Sequence, residues 1–400
     1  MSRRLIDPTP AENSDRKTDR KKSGGARRAA PKVAQAPHTS GSFSSSDRKL
    51  IAIGVAATIA AGVFHNSNGP IVAFLAAGVA LAALASLVGR CVEAIGDKLG
   101  PGATGVLQSF LANLPEIFVI MFALNAGLYD VVKATIVGSV LANVLLVAGL
   151  AYLVGGLKHG PQRFNQSASR QLGLMLMLSV AILSIPTLTS TLHTPAEGHE
   201  RTITIVISLL LITLFVASLP DILKTGKGPT TPSIEAIAAR SETEQHGNWS
   251  LTLGLSLLAG TAIASAFVSE WFVAALSPAM DSLNINATFA GLIIVAIAGN
   301  AVENVVGIQL CARNQPEFAL QVILQSPVQV AMIVAPLIAL AAPLVGAATF
   351  TLVLAPMLLA ALVLATLITV IVVEDGESTW FEGAALLALY VAIACAFWWG

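Results

Sequence analysis

The sequence predicts an all-α polytopic membrane protein of about eleven transmembrane helices, with one extra N-terminal helix and two inverted five-helix repeats. Two observations predict this fold class. The chain is 55% hydrophobic and only 12% charged, with a mean hydropathy of +0.75, whereas a soluble domain has about 25% charged residues. In addition, one polar motif occurs twice inside apolar segments, as Asn113-Leu114-Pro115-Glu116 and as Asn300-Ala301-Val302-Glu303.

Residues 1–49 are predicted to form a disordered, basic cytosolic tail. They hold 12 of the 23 Lys and Arg residues, are rich in Ser, Ala and Pro, and show no apolar periodicity. The segment is too polar for a secretory signal, so we expect a retained tail. The rest of the chain is acidic, with 11 basic and 18 acidic residues.

The apolar segments that follow are long enough to cross a hydrocarbon core, which takes ~20 residues. We expect an extra first helix at 50–66, a first five-helix half at 70–220, a cytosolic linker at 221–247 and a second half at 248–400. The predicted spans are 50–66, 70–96, 104–126, 129–156, 168–190, 201–220, 248–277, 286–312, 316–340, 346–372 and 379–398.

Basic residues set the predicted orientation, because cytoplasmic segments carry an excess of Lys and Arg. With the N-terminus inside, 21 of the 23 basic residues fall on the inner side, and only Lys133 and Arg201 fall on the outer side. Eleven spans then place the C-terminus outside. The two motifs lie in the third and eighth spans and therefore cross the membrane in opposite directions, as in the inverted repeats of secondary transporters.

The two motif copies match without a gap. The pairs superposed by a shift of 187 positions are Asn113 with Asn300, Glu116 with Glu303, and Ser139 with Ser326. A carboxylate at the centre of a membrane helix costs ~2.5–3.5 kcal/mol, so two at matched positions indicate a function. A single Glu–Asn pair could instead hold helices together, but two inverted copies, each with its serine, favour the functional interpretation.

The residues around both carboxylates offer hard oxygen ligands. Pro115 lies between Asn113 and Glu116 and has no backbone N–H to donate. We therefore expect it to interrupt the helix and to free nearby carbonyl groups. The following span of each half adds hydroxyl and amide groups, from Ser139 and Asn143 in the first half and from Ser326 and Gln329 in the second. Carboxylate, amide, hydroxyl and carbonyl oxygens are the ligand set of Ca²⁺ rather than of Zn²⁺.

Glu116 and Glu303, if both are ionised near the midplane, carry a charge of −2 that a low dielectric disfavours without compensation. Either Ca²⁺ or protons supply that compensation, and both compete for the same oxygens. This mutual exclusion is a sufficient physical basis for antiport.

The blocks around these motifs resemble the Ca²⁺/H⁺ (cation/proton) exchanger family of the cation/Ca²⁺ exchanger superfamily. The likeness covers roughly residues 70–400 and rests on several spaced blocks in the same order. These blocks are Leu111-Ala112-Asn113-Leu114-Pro115-Glu116, Gly138-Ser139-Val140-Leu141-Ala142-Asn143, Gly299-Asn300-Ala301-Val302-Glu303, Gln325-Ser326-Pro327-Val328-Gln329 and the stretch 374–383.

The resemblance implies a sodium/calcium exchanger-like fold and a transporter, not an enzyme. It implies Ca²⁺ and H⁺ as substrates within the lipid bilayer, with no resident cofactor and no nucleic-acid partner. The residues that it assigns to the site are Glu116 and Glu303 as principal ligands of Ca²⁺ and H⁺, lined by Asn113, Asn300, Ser139, Asn143, Ser326 and Gln329. Two departures stand out: Ala112 replaces the usual Gly, and Asn304 replaces the usual His, which would titrate near neutral pH.

Two further carboxylates, Glu93 and Glu270, lie deep in the second and seventh spans. Inversion places them near opposite membrane faces, where they are candidates for gate or entrance residues. Interfacial charges that anchor helix ends are the alternative interpretation.

Other functions stay open on the sequence alone. Na⁺-coupled exchange of Ca²⁺ or another divalent cation is the main alternative, and a cation channel or a non-transport membrane protein are the others. The Ala-rich composition and short loops favour a bacterial inner membrane, with a vacuolar membrane as the alternative.

Overall fold

The computed structural model describes residues 43–66, 69–99, 111, 113–225 and 249–399, without the side chains of residues 96–99, 218–225, 302 and 303. The helices are α1 (Ser45–His65), α2 (Pro70–Leu99), α3 (Leu114–Asn125), α4 (Tyr129–Leu141), α5 (Ala148–His159), α6 (Gln166–Thr191), α7 (Glu200–Thr225), α8 (Leu251–Leu283), α9 (Ala287–Phe289), α10 (Ala296–Gly299), α11 (Ala301–Ala312), α12 (Pro316–Gln329), α13 (Ala335–Ala341), α14 (Pro356–Val373) and α15 (Trp380–Trp398). Three π-helical segments, Ala142–Val147, Ala290–Val295 and Val330–Val334, and one 3₁₀ segment, Ala342–Val345, continue these helices.

The all-α, multi-span prediction is confirmed. Within the described ranges, nine helical stretches are long and apolar enough to cross a membrane. A tenth is bent by 61° between Ala287–Gly299 and Asn304–Ala312. Residues 104–110 and 112 of the predicted span 104–126 lie outside the described residues, and α3 forms most of the described remainder.

Helix α1 begins earlier than predicted. The sequence placed residues up to 49 in the tail, but α1 starts at Ser45, where Ser44 and Asp47 form a capping box. The reciprocal side-chain bonds satisfy the first backbone donors of the helix, which allows it to start in a polar stretch. Residues 1–42 of the predicted tail, and 226–247 of the predicted linker, lie outside the described residues.

The internal repeat appears in the helix boundaries. The shift of 187 positions carries α3 onto α11 residue for residue, and it carries Tyr129, the start of α4, onto Pro316, the start of α12. It also carries the end of the π-helical segment Ala142–Val147 onto the end of Val330–Val334. The two halves therefore share a helix break and a π-helical turn as well as a motif.

The two halves meet where α4 crosses the segment Ala290–Val295. A Cβ atom on Gly138 would lie 2.2 Å from the carbonyl oxygen of Leu292, and one on Gly291 would lie 2.5 Å from that of Val131. Both positions therefore require glycine, which lets the two backbones touch. Gly138 precedes Ser139, so this contact lies beside the predicted site.

A two-stranded antiparallel sheet joins loops of the two halves at one end of the bundle. Strand β1 (Gln162–Arg163) pairs with β2 (Glu377–Ser378), with Gln162 opposite Ser378. The exposed Arg163 Nε lies 3.0 Å from Glu377 Oε2.

Candidate functional site

Each motif lies at a helix break and starts a short helix. Asn113 precedes α3 with φ −86° and ψ 7°, and Asn300 separates α10 from α11 with φ −107° and ψ 22°. Neither asparagine caps its helix with its side chain, so both amides can reach the opposite half. Glu116 lies in the first turn of α3, where the positive end of the helix dipole favours a negative charge.

The Glu116 carboxylate is buried and lies in a hydrogen-bonded chain that reaches the second half. Ser139 donates a hydrogen bond from Oγ to Glu116 Oε1. Asn300 Nδ2 in turn donates to Ser139 Oγ over 3.1 Å. Gly299 lies beside the same side chain, because a Cβ atom there would be 3.8 Å from Glu116 Cγ. Asn300 of the second motif is therefore linked to Glu116 of the first through the Ser139 hydroxyl.

Amide groups extend this cluster across the repeat interface. Asn143 Nδ2 lies 3.3 Å from both Asn300 Oδ1 and Ser326 Oγ, and 2.9 Å from the Ser139 carbonyl oxygen. Ser326 Oγ donates to Asn300 Oδ1 over 3.5 Å. Asn143 lies in the π-helical segment Ala142–Val147, a type of turn that occurs often at functional sites.

A second amide contact couples the halves on the other side of the cluster. Asn113 Nδ2 donates to Gln329 Oε1 over 3.2 Å. The residues of the predicted site that the structure brings together, all of them buried, are Asn113, Glu116, Ser139, Asn143, Asn300, Ser326 and Gln329.

The side chain of Glu303 lies outside the described residues. Its backbone is at the third position of α11, one turn after Asn300, as Glu116 is at the third position of α3. The facing of two carboxylates therefore stays a prediction. Within the described part of the chain, no three His, Cys, Asp or Glu side chains converge on a metal-binding point. The cluster instead offers one carboxylate with hydroxyl and amide oxygens, which suits a hard cation such as Ca²⁺.

The two candidate gate residues lie in different surroundings. Glu93 is buried and lies 3.0 Å from Arg90 Nη1. Arg90 Nε lies 2.8 Å from Asp47 Oδ1, and Trp249 Nε1 donates to Asp47 Oδ2 over 2.9 Å. Glu270 is exposed on α8. Glu93 thus belongs to an ion network that holds α1 to α2 and to the start of α8, and a gating role for either carboxylate stays a prediction.

Sequence reasoning missed two hydroxyl residues next to Glu116. Ser269 Oγ donates to the Pro115 carbonyl oxygen over 3.4 Å. Thr135 lines a small cavity beside the carboxylate. The other lining residues are Leu81, Pro115, Glu116, Val119, Phe272, Val295, Ala298 and Gly299. The signal that could have revealed Thr135 is its spacing of four residues before Ser139, which puts both on one helix face.

Asn304, at the position where the resemblance implies a histidine, is partly buried. Its Oδ1 atom has no hydrogen-bond partner among the described residues. An amide at this position supplies a neutral oxygen and cannot titrate near neutral pH, unlike histidine.

Comparison with known proteins matches both halves. A family model described as sodium/calcium exchanger protein matches residues 69–220 and 253–399. The Ca²⁺/H⁺ antiporter ChaA of Bacillus subtilis is 35% identical over 352 residues, which are 87% of this chain and 97% of the relative. A Ca²⁺/H⁺ antiporter of Aphanothece halophytica is 31% identical over 81% of this chain and 89% of its own.

A solved structure supports the same assignment. The structure of native YfkE is 32% identical in sequence and superposes with a TM-score of 0.72, covering 88% of this chain and all of that chain. The fold is thus the inverted-repeat fold that the sequence predicted. The chain belongs to the sodium/calcium exchanger protein family, within the Ca²⁺/H⁺ exchanger branch of the cation/Ca²⁺ exchanger superfamily.

Proposed function

We propose that the protein is a secondary antiporter that exchanges Ca²⁺ for H⁺ by alternating access. Glu116 and Glu303 bind Ca²⁺ or protons in turn. The observation that carries this proposal is the buried Glu116 carboxylate, hydrogen-bonded to Ser139 inside a polar cluster built by both repeats. The relatives named as Ca²⁺/H⁺ antiporters support it, because they match over most of the chain.

The hydrogen bonds around Glu116 explain how one site accepts either substrate. The Ser139 hydroxyl stabilises the ionised carboxylate, and Asn300 orients that hydroxyl from the other half. When Ca²⁺ arrives, carboxylate, hydroxyl and amide oxygens replace part of its water shell. When a proton arrives, it neutralises the carboxylate and removes the charge that holds the cation.

The two helix breaks explain how the site can face either side. α3 and α11 both begin at an asparagine near the cluster, so their N-terminal ends and first turns surround the site. Discontinuous helices of this kind bind ions at the midplane of secondary transporters while one repeat rocks against the other.

The predicted direction of transport follows from the orientation and the membrane. We place the N-terminus in the cytosol and the C-terminus outside, in a bacterial inner membrane, with a vacuolar membrane as the alternative. Protons that move down their gradient then drive Ca²⁺ out of the cytosol. The eleven spans predicted from the sequence and the basic residues of the predicted inner loops support this orientation.

A second candidate is Na⁺-coupled Ca²⁺ exchange. The observation that favours it is Asn304, whose neutral Oδ1 lies next to Glu303 in sequence and has no hydrogen-bond partner in the described part of the chain. Neutral carbonyl oxygens suit a monovalent cation, and they offer no additional proton site.

The test is ⁴⁵Ca²⁺ uptake into proteoliposomes under an imposed pH gradient or an imposed Na⁺ gradient. We expect uptake that needs the pH gradient, ignores Na⁺ and is lost in Glu116→Gln and Glu303→Gln. The exposed loop variant Glu197→Gln serves as the matched control and retains uptake. Uptake that follows Na⁺ would support the second candidate, and the absence of flux in both gradients would overturn both.

A further inference from the structure

The cavity beside Glu116 includes lining residues that lie away from the motif along α3 and α4. Its lining residues Val119 in α3 and Thr135 in α4 lie between the motif and the turn that joins these two helices. Ser139 is ten residues into α4, about 15 Å from its start and near the middle of a ~30 Å core. Thr135 is one turn closer to the start, about 6 Å away. The cavity thus leads from the carboxylate toward the side where α4 begins.

The hydroxyl of Thr135 lines this cavity and forms no hydrogen bond with the part of the chain that the structure describes. Thr135 is 2% exposed, and its Oγ1 has no hydrogen-bond partner among the described residues. Threonines in membrane helices commonly bond a carbonyl of their own helix, as Thr261 does with Leu257 at 2.7 Å. A buried hydroxyl without a partner is unfavourable, so a ligand of the cavity is its natural partner.

The position also breaks the symmetry between the two halves. The shift of 187 positions carries Thr135 onto Val322, which is buried and apolar. It carries Ser139 onto Ser326 and so preserves the hydroxyl at the centre of the site. The additional hydroxyl therefore occurs in the first half alone, beside the Glu116 carboxylate.

We propose that Thr135 is a positioning residue that holds a water molecule in this cavity, through which Glu116 exchanges its proton with the side where α4 begins. The inference rests on the proposed function. The carboxylate takes a proton from the held water, and that water takes one from the solvent beyond it, so the water is regenerated. Release runs through the same steps in reverse. Cavities lined by apolar groups hold a water only where polar partners are present, and Thr135 and Glu116 are the polar side chains of this lining.

The test compares Thr135→Val, Thr135→Ser and the control Thr261→Val in proteoliposomes of uniform orientation, with the pH varied on each side separately. We expect Thr135→Val to lower the exchange rate about tenfold, the effect of one lost hydrogen bond. Acid on the α4-start side restores its rate, whereas acid on the other side does not. The KM for Ca²⁺ stays unchanged, Thr135→Ser retains the wild-type rate, and Thr261→Val behaves as wild type.

Thermal unfolding separates this role from a structural one. The Thr135 hydroxyl bonds no described residue of the protein, so Thr135→Val leaves no protein group without its partner and should melt no lower than wild type. Three results would each overturn the inference. They are a wild-type exchange rate in Thr135→Val, a loss of exchange rate that acid on neither side restores, and a lower melting temperature together with the same loss of rate in Thr135→Ser. A wild-type protein without proton-driven exchange would instead refute the proposed function.

Discussion

Asn113 and Gln329 are joined by a hydrogen bond of 3.2 Å, although 216 positions separate them in the chain. Asn300 of the second motif makes the corresponding contact with Asn143 of the first half at 3.3 Å. Each motif asparagine therefore binds an amide on the span that follows the other motif. The two halves are coupled through these amides at the level of the site, and substrate binding can act on both repeats together.

The coupling between Asn113 and Gln329 can be measured. Loss of either side chain leaves the other buried amide without this partner, which costs about 1–3 kcal/mol. We expect Asn113→Ala and Gln329→Ala each to lower the melting temperature, and the double variant to cost less than the sum of the two. A double-mutant cycle by thermal unfolding checks this, and strict additivity would show that the contact contributes nothing.

The Ser139 hydroxyl is expected to set Ca²⁺ affinity. In Ser139→Ala, Glu116 loses its hydroxyl donor and Asn300 loses an acceptor. Because hydrogen bonds to charged groups contribute about 1.5–3 kcal/mol, Ca²⁺ affinity should fall at least about tenfold. Calorimetric titration of the purified protein measures it. Ser179→Ala is the control, since that buried hydroxyl bonds a carbonyl of its own helix, and equal effects in both variants would contradict the assignment.

Gly138 is expected to tolerate no side chain. A methyl group there would collide with the Leu292 backbone at 2.2 Å, and overpacking typically costs about 1–3 kcal/mol or more. Gly138→Ala should therefore lose both stability and exchange. Gly260→Ala is the matched control, because a Cβ atom on that helical glycine meets nothing within 4 Å. Equal yields and melting temperatures for the two variants would show that the halves are not packed at this point.

The ion network of Asp47, Arg90 and Glu93 is expected to hold α1 in place. Removal of one partner from a buried pair costs about 3–5 kcal/mol, so Arg90→Met should release α1 and lower the melting temperature. The exposed pair of Arg163 and Glu377 is the comparison, and Arg163→Met should cost at most about 1 kcal/mol. Protease sensitivity near the start of α1 gives a second readout, and an intact α1 in Arg90→Met would contradict this role.

Much of the site could be predicted because the repeat preserves spacing. The gapless shift from Asn113 to Asn300 identified the helices that meet at the site. Pro115 and Gly299 lie at the two helix breaks. Spacing alone does not show which side chains touch. The bonds from Asn113 to Gln329 and from Asn143 to Asn300 depend on how the halves pack, which no local pattern encodes.

Other features escaped prediction for definite physical reasons. The start of α1 was placed too late because Asp47, a charged residue, is stabilised by Arg90, which lies 43 positions away. Thr135 was missed because a threonine in an apolar helix usually bonds its own backbone, and only the cavity distinguishes it. The π-helical turns leave no signature in the hydrophobic pattern, although one of them carries Asn143.

The backbone contact between Gly138 and Leu292 makes the crossing of α4 with Ala290–Val295 a point about which the two helices can rotate. The two backbones approach closely there, so the helices can rotate against each other but cannot separate without losing the contact. In a rotation about this contact, each residue moves in proportion to its distance from it. Ser139 directly follows Gly138 and would move least in such a rotation, while the ends of both helices would move furthest. The site residues can thus stay close together around the bound ion while the helix ends at the two membrane faces move apart and together.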